Sequence, residues 1–202
     1  MTKIKLCGLS RLCDVQAANE LKPGYIGFVF APKSKRYVTP EKAKALKQML
    51  DPSIKAVGVF VNEEPETIVT LANNGIIDVI QLHGDEDEED IRQLRKRIDQ
   101  PIIKAFRIKT AKDIADAEQS GADYVLLDSG AGTGTVFDWR LLHNIKRPYF
   151  LAGGLESGNV GAAIHTLRPF AVDVSSGIET DGIKDQTKMA AFVAAVRKED
   201  RI

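Results

Sequence analysis

An excess of charge of either sign is missing from this sequence: 28 lysines and arginines balance 28 aspartates and glutamates, leaving a formal net charge of zero. No basic cluster interrupts that balance, so nothing draws in a nucleic acid or an anionic membrane, and a small-molecule substrate is the better expectation. Long apolar runs are also missing; none approaches the ~20 residues that would span a bilayer. Cysteine is scarce. Cys7 and Cys13 cannot build a disulfide framework, and the polar start through Leu9 lacks the apolar core of a signal peptide. The expectation is a cytoplasmic protein with neither a membrane nor a nucleic-acid partner. Scattered apolar residues define no interface, so the oligomeric state, monomer or homodimer, stays open.

What is present is regular. With 202 residues, 44% of them hydrophobic, the chain can bury one substantial core and is short for two, which predicts one domain over residues 1–202. Runs rich in β-branched and aromatic residues predict strands at Ile4 to Cys7, Tyr25 to Phe30, Ala56 to Val61, Val79 to His83, Ile102 to Phe106, Tyr124 to Asp128, Tyr149 to Ala152 and Ala171 to Ser175. Helical spacing lies between and after them, at Val15 to Leu21, Pro40 to Leu50, Pro65 to Ala72, Glu88 to Ile98, Ala111 to Gln119, Trp139 to Asn144, Asn159 to Leu167 and Asp185 to Lys198. Thr39 and Thr110 stand at N-cap positions.

Alternating β and α units imply parallel strands, which either close into an eight-fold βα-barrel or form an open doubly wound sheet. Polar residues at interior positions of several strands favour the α/β barrel, because a flat central sheet prefers unbroken Val, Ile and Leu. In a barrel, catalytic groups belong at the C-terminal ends of the strands. Those ends carry Cys7, His83 and Asp128, and the loops that begin at Gly153 and Ser176. Alternation places Lys5 with Cys7, Gln81 with His83, and Asp173 with Ser175. Since the first and eighth strands adjoin in a closed barrel, Lys5 and Asp173 are expected to pair and neutralise each other.

Each candidate has a bland reading beside the chemical one. A lone strand cysteine such as Cys7 is commonly inert filler, although Gly8 after it permits close approach of a ligand; Cys13 keeps the inert reading. Asp128 precedes the flexible stretch Ser129-Gly-Ala-Gly-Thr-Gly-Thr and could act on a ligand or cap local N–H groups. Ala152-Gly-Gly-Leu and Ser175-Ser-Gly-Ile, following the last two strands, stand where phosphate-binding barrels present backbone N–H groups to the anion. Arg36, in Ser34-Lys-Arg, suits a carboxylate or sits in a solvated loop. His83 could polarise an oxygen or satisfy backbone. The acidic run Asp85 to Asp90 reads as solvated helix-start chemistry with no catalytic role.

Taken in order, several segments resemble one family: Lys5-Leu-Cys-Gly-Leu, Gly27-Phe-Val-Phe with Ser34-Lys-Arg-Tyr-Val, Val57-Gly-Val-Phe-Val-Asn, Gln81-Leu-His-Gly, Leu127-Asp-Ser with Gly132-Thr-Gly and Phe137-Asp-Trp, Ala152-Gly-Gly-Leu, and Val172-Asp-Val-Ser-Ser-Gly-Ile-Glu. From end to end the chain resembles phosphoribosylanthranilate isomerase. The resemblance implies a βα-barrel, a phosphosugar substrate, no metal or organic cofactor, and an Amadori rearrangement in tryptophan biosynthesis. It implies Cys7 as general base, Asp128 as general acid, and Arg36 as the clamp on the anthranilate carboxylate. It also implies that His83 and Asp173 lie beside the substrate, and that backbone around Gly154, Ser176 and Gly177 holds the phosphate. Leu6 for the usual Ile, Ala131 before Gly132, and Ser157-Gly-Asn for Pro-Glu-Asn depart from the family pattern without touching a catalytic group.

The implied mechanism sets opposite demands on two groups. Asp128 must hold a proton to give to the ribose ring oxygen as the ring opens to a Schiff base, so its reference value of about 3.9 must rise. Cys7 must then take a proton from the adjacent sugar carbon, and Lys5 is the cation expected to pull its reference value of about 8.5 toward neutrality. A bell-shaped rate profile would report both. Indoleglycerol phosphate synthase is the nearest enzymatic alternative, but it has a longer N-terminal extension, whereas here the first strand begins by Ile4. A histidine-pathway isomerase is expected to carry paired aspartates after strands one and five, where Cys7 and Phe106 to Arg107 stand. A barrel that binds a phosphate ligand without chemistry is the alternative from another class; keeping Cys7, Asp128 and Arg36 together argues against it.

Overall fold

A computed structural model describes residues 1–128, 142 and 145–200. Its strands are β1 (Lys3–Cys7), β2 (Tyr25–Val29), β3 (Lys55–Phe60), β4 (Val79–Leu82), β5 (Ile102–Arg107), β6 (Tyr124–Asp128), β7 (Tyr149–Ala152) and β8 (Ala171–Val174). Each pairs in parallel with the next, and β8 returns to β1, so the sheet closes as a barrel. That closure decides against the open sheet. The seam register sets Lys5 opposite Asp173 and Leu6 opposite Val174. Beyond β8, β9 (Glu179–Thr180) and β10 (Ile183–Lys184) form a short antiparallel ribbon.

The helices among the described residues are α1 (Leu12–Leu21), α2 (Pro40–Gln48), α3 (Pro65–Asn73), α4 (Glu88–Arg95), α5 (Ala111–Gln119), α6 (Val160–Leu167) and α7 (Gln186–Glu199). Local chemistry sets their starts. Thr39 Oγ1 accepts from Lys42 N at 3.2 Å ahead of Pro40, and Asp113 accepts from the N–H of Thr110 at 2.7 Å. The first helix begins three residues earlier than its apolar spacing suggests, because Asp14 accepts from the N–H groups of Ser10 and Arg11 and stabilises the opening turn. Both α2 and α4 stop short of their expected ends, at Gln48 and Arg95. In each case i→i+3 turns replace the last helical turn, where Leu50 takes Lys47 O and Arg97 takes Leu94 O. The helix expected over Trp139 to Asn144 lies outside the described residues, Leu142 apart. No described helix is long and apolar enough to cross a membrane.

Strand alternation divides the core into two layers. Outward positions such as Leu6, Ile26, Phe28, Phe60, Ile80 and Val172 pack under helix residues including Val15, Ala43, Ile68, Leu94 and Phe192. Inward positions Cys7, Val29, Val57, Val59, Val79, Ile103, Leu126 and Phe150 fill the lumen. Each fully buried Phe or Leu contributes about 1.5–3 kcal/mol relative to exposure, so the shell, not the polar lumen layer, supplies the bulk of the stability. At the N-terminal end the lumen is plugged by Tyr25, Tyr124, Phe150 and Phe170, with the last three in mutual ring contact. The C-terminal end holds the polar groups.

Candidate active site

Cys7 ends β1 facing the lumen, buried, with its sulfur so close to the neighbouring strand that a Cβ on Gly27 would lie 2.8 Å from Sγ. One step below on the same face, Lys5 is wholly buried and donates to Asp173 Oδ1 at 2.9 Å, as the seam register dictates. The expected Lys5–Asp173 pair is therefore present. Burial by itself would depress the Lys5 ammonium, but its pairing with Asp173, foremost, overcomes that, and its pKa rises above the ordinary lysine value.

For Cys7 the outcome reverses the expectation. Burial pushes the thiol above its ordinary value; Lys5 and Lys184 pull the other way without overcoming it, and Asp173 adds to the rise. A cation already committed to a carboxylate lowers a neighbouring thiol far less than a bare one does. The thiol form is thus favoured at neutral pH.

His83 follows β4 and Asp128 ends β6, and both are partly exposed at the same mouth. Their closest approach, His83 Nε2 to Asp128 Oδ2, is 3.8 Å. Gln81, buried in the lumen, places its amide nitrogen 2.9 Å from His83 Nδ1. An amide N–H donated there leaves the ring proton on Nε2, the nitrogen facing Asp128. Burial lowers the His83 pKa although Asp128 opposes it, so the ring is neutral at neutral pH. A cleft of about 460 Å³ opens beside His83, lined also by Lys104, Phe106 and Arg107. The glycine-rich stretch after Asp128, and the Phe137-Asp-Trp motif, lie outside the described residues.

The loops after β7 and β8 interlock. A Cβ on Gly177 would fall 2.0 Å from the carbonyl oxygen of Leu155, a contact that only glycine allows. Gly154 sits at φ 62°, and Asn159 ties the loop by donating to Gly154 O at 2.9 Å. Ser176 opens a 3-10 turn through Ile178. Among the described residues, the N–H groups of Gly154, Ser176 and Gly177 are not taken up by carbonyls of other segments. Two small-residue loops side by side can therefore offer several donors to one anion.

Arg36 is not the solvated loop residue of the bland reading. Its Nε and Nη2 donate to Glu179 Oε1 and Oε2 at 2.6 and 2.8 Å, and Lys184 Nζ reaches the same Oε1 at 2.6 Å. Lys184 also donates to Ser175 O at 2.8 Å. Sequence reasoning assigned no role to Glu179 or Lys184, whose proximity to Arg36 exists only because the β9–β10 ribbon folds back over the β2 loop. The acidic run also divides. Asp87 caps α4 as expected, accepting from Glu89 N and Asp90 N. Glu86, by contrast, has its side chain only 8% exposed: it pairs with Lys104 at 2.9 Å and accepts from Gly84 N at 2.8 Å, which fixes the loop that carries His83. A lysine at an outward strand position was the available signal, since such a residue needs a buried partner. Among the described residues no group of three or more His, Cys, Asp or Glu side chains could hold a metal ion.

A closed parallel βα-barrel with a thiol, an imidazole and a carboxylate at its C-terminal mouth, beside two donor-rich loops after its last strands, defines a class: barrel enzymes that move protons on a phosphate-bearing substrate. Comparison with known proteins narrows that class. The sequence profile of the family described as N-(5'phosphoribosyl)anthranilate (PRA) isomerase matches residues 4–195. The N-(5'-phosphoribosyl)anthranilate isomerase of Endomicrobium trichonymphae is 44% identical, with 98% of this chain and 99% of that protein covered. Among solved structures, the phosphoribosyl anthranilate isomerase of Thermotoga maritima superposes with a TM-score of 0.88 at 38% identity, covering 98% of this chain and all of the other. A phosphoribosyl anthranilate isomerase in complex with reduced 1-(o-carboxyphenylamino)-1-deoxyribulose 5-phosphate gives 0.85 at 38% identity, with 98% and 100% covered. The chain belongs to the N-(5'-phosphoribosyl)anthranilate isomerase family, the aldose–ketose isomerases of tryptophan biosynthesis.

Proposed function

We propose that the mouth carries out the Amadori rearrangement of N-(5-phosphoribosyl)anthranilate to 1-(2-carboxyphenylamino)-1-deoxyribulose 5-phosphate with Cys7 as general base and Asp128 as general acid. The observation that carries this reading is the convergence of Cys7, His83 and Asp128 on one lumen mouth from three separate strands. The reduced form of that product, held by a structural relative, supports a phosphosugar ligand for this fold. Asp128 gives its proton to the ribose ring oxygen as the ring opens to the Schiff base. Cys7 then removes the proton from the adjacent sugar carbon, and the enolamine tautomerises to the ketone. A thiol held above its ordinary pKa is rarely ionised at neutrality, but its thiolate is the stronger base when formed.

The remaining roles are positional. The backbone N–H groups around Gly154, Ser176 and Gly177 hold the phosphate, and Arg36 holds the anthranilate carboxylate. His83, neutral with its proton on Nε2, donates to a substrate oxygen near Asp128. Asp173 keeps Lys5 charged beneath Cys7. The whole of residues 1–202 acts as one domain, in the cytoplasm, where the free cysteines Cys7 and Cys13 would stay reduced. Purified protein is tested with freshly made phosphoribosylanthranilate by loss of anthranilate fluorescence, beside folded Cys7→Ala and Asp128→Asn variants. Turnover in the parent, with losses of about 10²- to 10⁴-fold in each variant, is the expected result. An inactive parent would sink the activity; an active parent with unimpaired variants would sink only the residue roles.

A further inference from the structure

We infer that Glu179, locked by Lys184, is a positioning residue that presents one edge of the Arg36 guanidinium to the substrate carboxylate; this rests on the reading of Arg36 as the carboxylate clamp. A guanidinium has five N–H donors in a rigid plane. Glu179 takes two of them, on the Nε–Nη2 edge, at 2.6 and 2.8 Å. The opposite Nη1–Nη2 edge keeps a parallel pair of donors, the geometry for a second bidentate carboxylate, and among the described residues no side chain or carbonyl accepts from it. One carboxylate of the protein and one of the ligand can then share Arg36 without competing.

Three further contacts hold this arrangement. Lys184, 3% exposed, donates to Glu179 Oε1 at 2.6 Å and to Ser175 O at 2.8 Å, so the carboxylate cannot swing away without leaving a buried cation unpaired. The stem of Arg36 lies against Gly8, where a Cβ would meet Arg36 Cδ at 2.4 Å and where φ is +79°. Head and stem are both pinned. Ser175, which accepts from Lys184, in turn donates from Oγ to Cys7 O at 3.3 Å, so the ribbon that orients the clamp is linked through Ser175 to the strand end carrying the thiol. The charges agree with the geometry: Arg36 and Lys184 against Glu179 leave one positive charge over, which a ligand carboxylate neutralises. Glu179 itself is held below the usual carboxylate range: burial opposes ionisation, but Arg36 and Lys184 together outweigh it.

The test compares the parent with Glu179→Gln and Arg36→Ala. It measures kcat and KM for phosphoribosylanthranilate, and Kd for reduced 1-(o-carboxyphenylamino)-1-deoxyribulose 5-phosphate and for its phenylamino counterpart lacking the carboxylate. Glu179→Gln is expected to raise KM, and Kd for the carboxylated ligand, by about 10- to 100-fold, as loss of an aligned charge-assisted pair does, with kcat little changed. Its Kd for the ligand without the carboxylate should match the parent. If Glu179→Gln does not fold, Glu179→Gln with Lys184→Met removes the stranded cation as well and carries the same expectation. Unchanged or tighter binding of the carboxylated ligand, or an equal loss for both ligands, overturns the inference. Should Arg36→Ala fail to discriminate between the ligands, the clamp reading falls with it; should Arg36→Ala discriminate and Glu179→Gln not, only the role of Glu179 falls.

Discussion

The two ends of the barrel lumen are made of opposite materials. At the floor, Tyr124 stacks on Phe170 at 5.1 Å, and Phe150 meets Tyr25, Tyr124 and Phe170 edge-on. At the mouth stand a thiol, an imidazole, a carboxylate and a clamped guanidinium. Between them lies one buried ion pair, Lys5 with Asp173. The difference teaches where a barrel can bear electrostatic cost. Rings at the floor gain by dispersion and area around the fully buried Phe150, with Tyr25, Tyr124 and Phe170 partly buried about it, whereas the mouth gathers ionisable groups.

The contrast is broken most severely at the mouth. Cys7→Ala and Asp128→Asn should each lower turnover by about 10²- to 10⁴-fold while thermal unfolding stays near that of the parent; an unfolding midpoint that fell in step with activity would make these residues structural. At the floor the effects should exchange places. Phe150→Ala is expected to cost about 3–5 kcal/mol in urea unfolding, with turnover per folded molecule close to the parent's.

Asp173→Asn tests the middle layer, where both properties should suffer, with about 3–5 kcal/mol lost because Lys5 is left buried without its partner. The pH dependence has a definite sign. Lys5 is raised in the folded protein, so the pair stabilises fully below the unfolded lysine value of about 10.4 and loses its contribution as pH climbs through the folded value. The stability gap between parent and Asp173→Asn should accordingly be constant near neutrality and narrow in strong alkali, measured by urea unfolding across pH.

Two smaller effects sharpen the picture of the mouth. The Cys7 thiolate, followed by its ultraviolet absorbance, should form above the ordinary thiol value of about 8.5, and later still in Lys184→Met, because Lys184 is one of the two lysines that pull it down. Ionisation near neutrality in the free protein would contradict the burial argument. Gln81→Leu removes the donor to His83 Nδ1 and should cost no more than about tenfold in turnover, the worth of one neutral hydrogen bond, with the ring tautomer visible by nitrogen NMR.

The sequence made much of this molecule legible, for reasons that can be named. Parallel strands and their order followed from the alternation of β-branched runs with helical spacing, and β6, β7 and α5 match their expected bounds residue for residue. The Lys5–Asp173 pair was legible because period-two alternation and barrel closure together specify a register. Residues with an illegible role are those whose partner lies far along the chain with no periodicity to relate them. Glu179 meets Arg36 across 143 positions, and Glu86 looked like one carboxylate in a solvated run until Lys104 was seen to need it. The ionisation of Cys7 was misjudged for a similar reason: sequence showed the nearby lysine, but not that burial would outweigh it.

Residue order alone determined the strand and helix alternation, the capped helix starts at Thr39 and Thr110, and which side chains reach the C-terminal strand ends, because each depends on neighbours within a few positions. Only the tertiary structure decided that the sheet closes and that the Gln81 amide meets His83 Nδ1. It alone decided that burial raises the Cys7 thiol, and that Arg36 gives its Nε–Nη2 edge to Glu179. Those outcomes turn on burial and on distances between remote segments, and both quantities come into being when the chain packs.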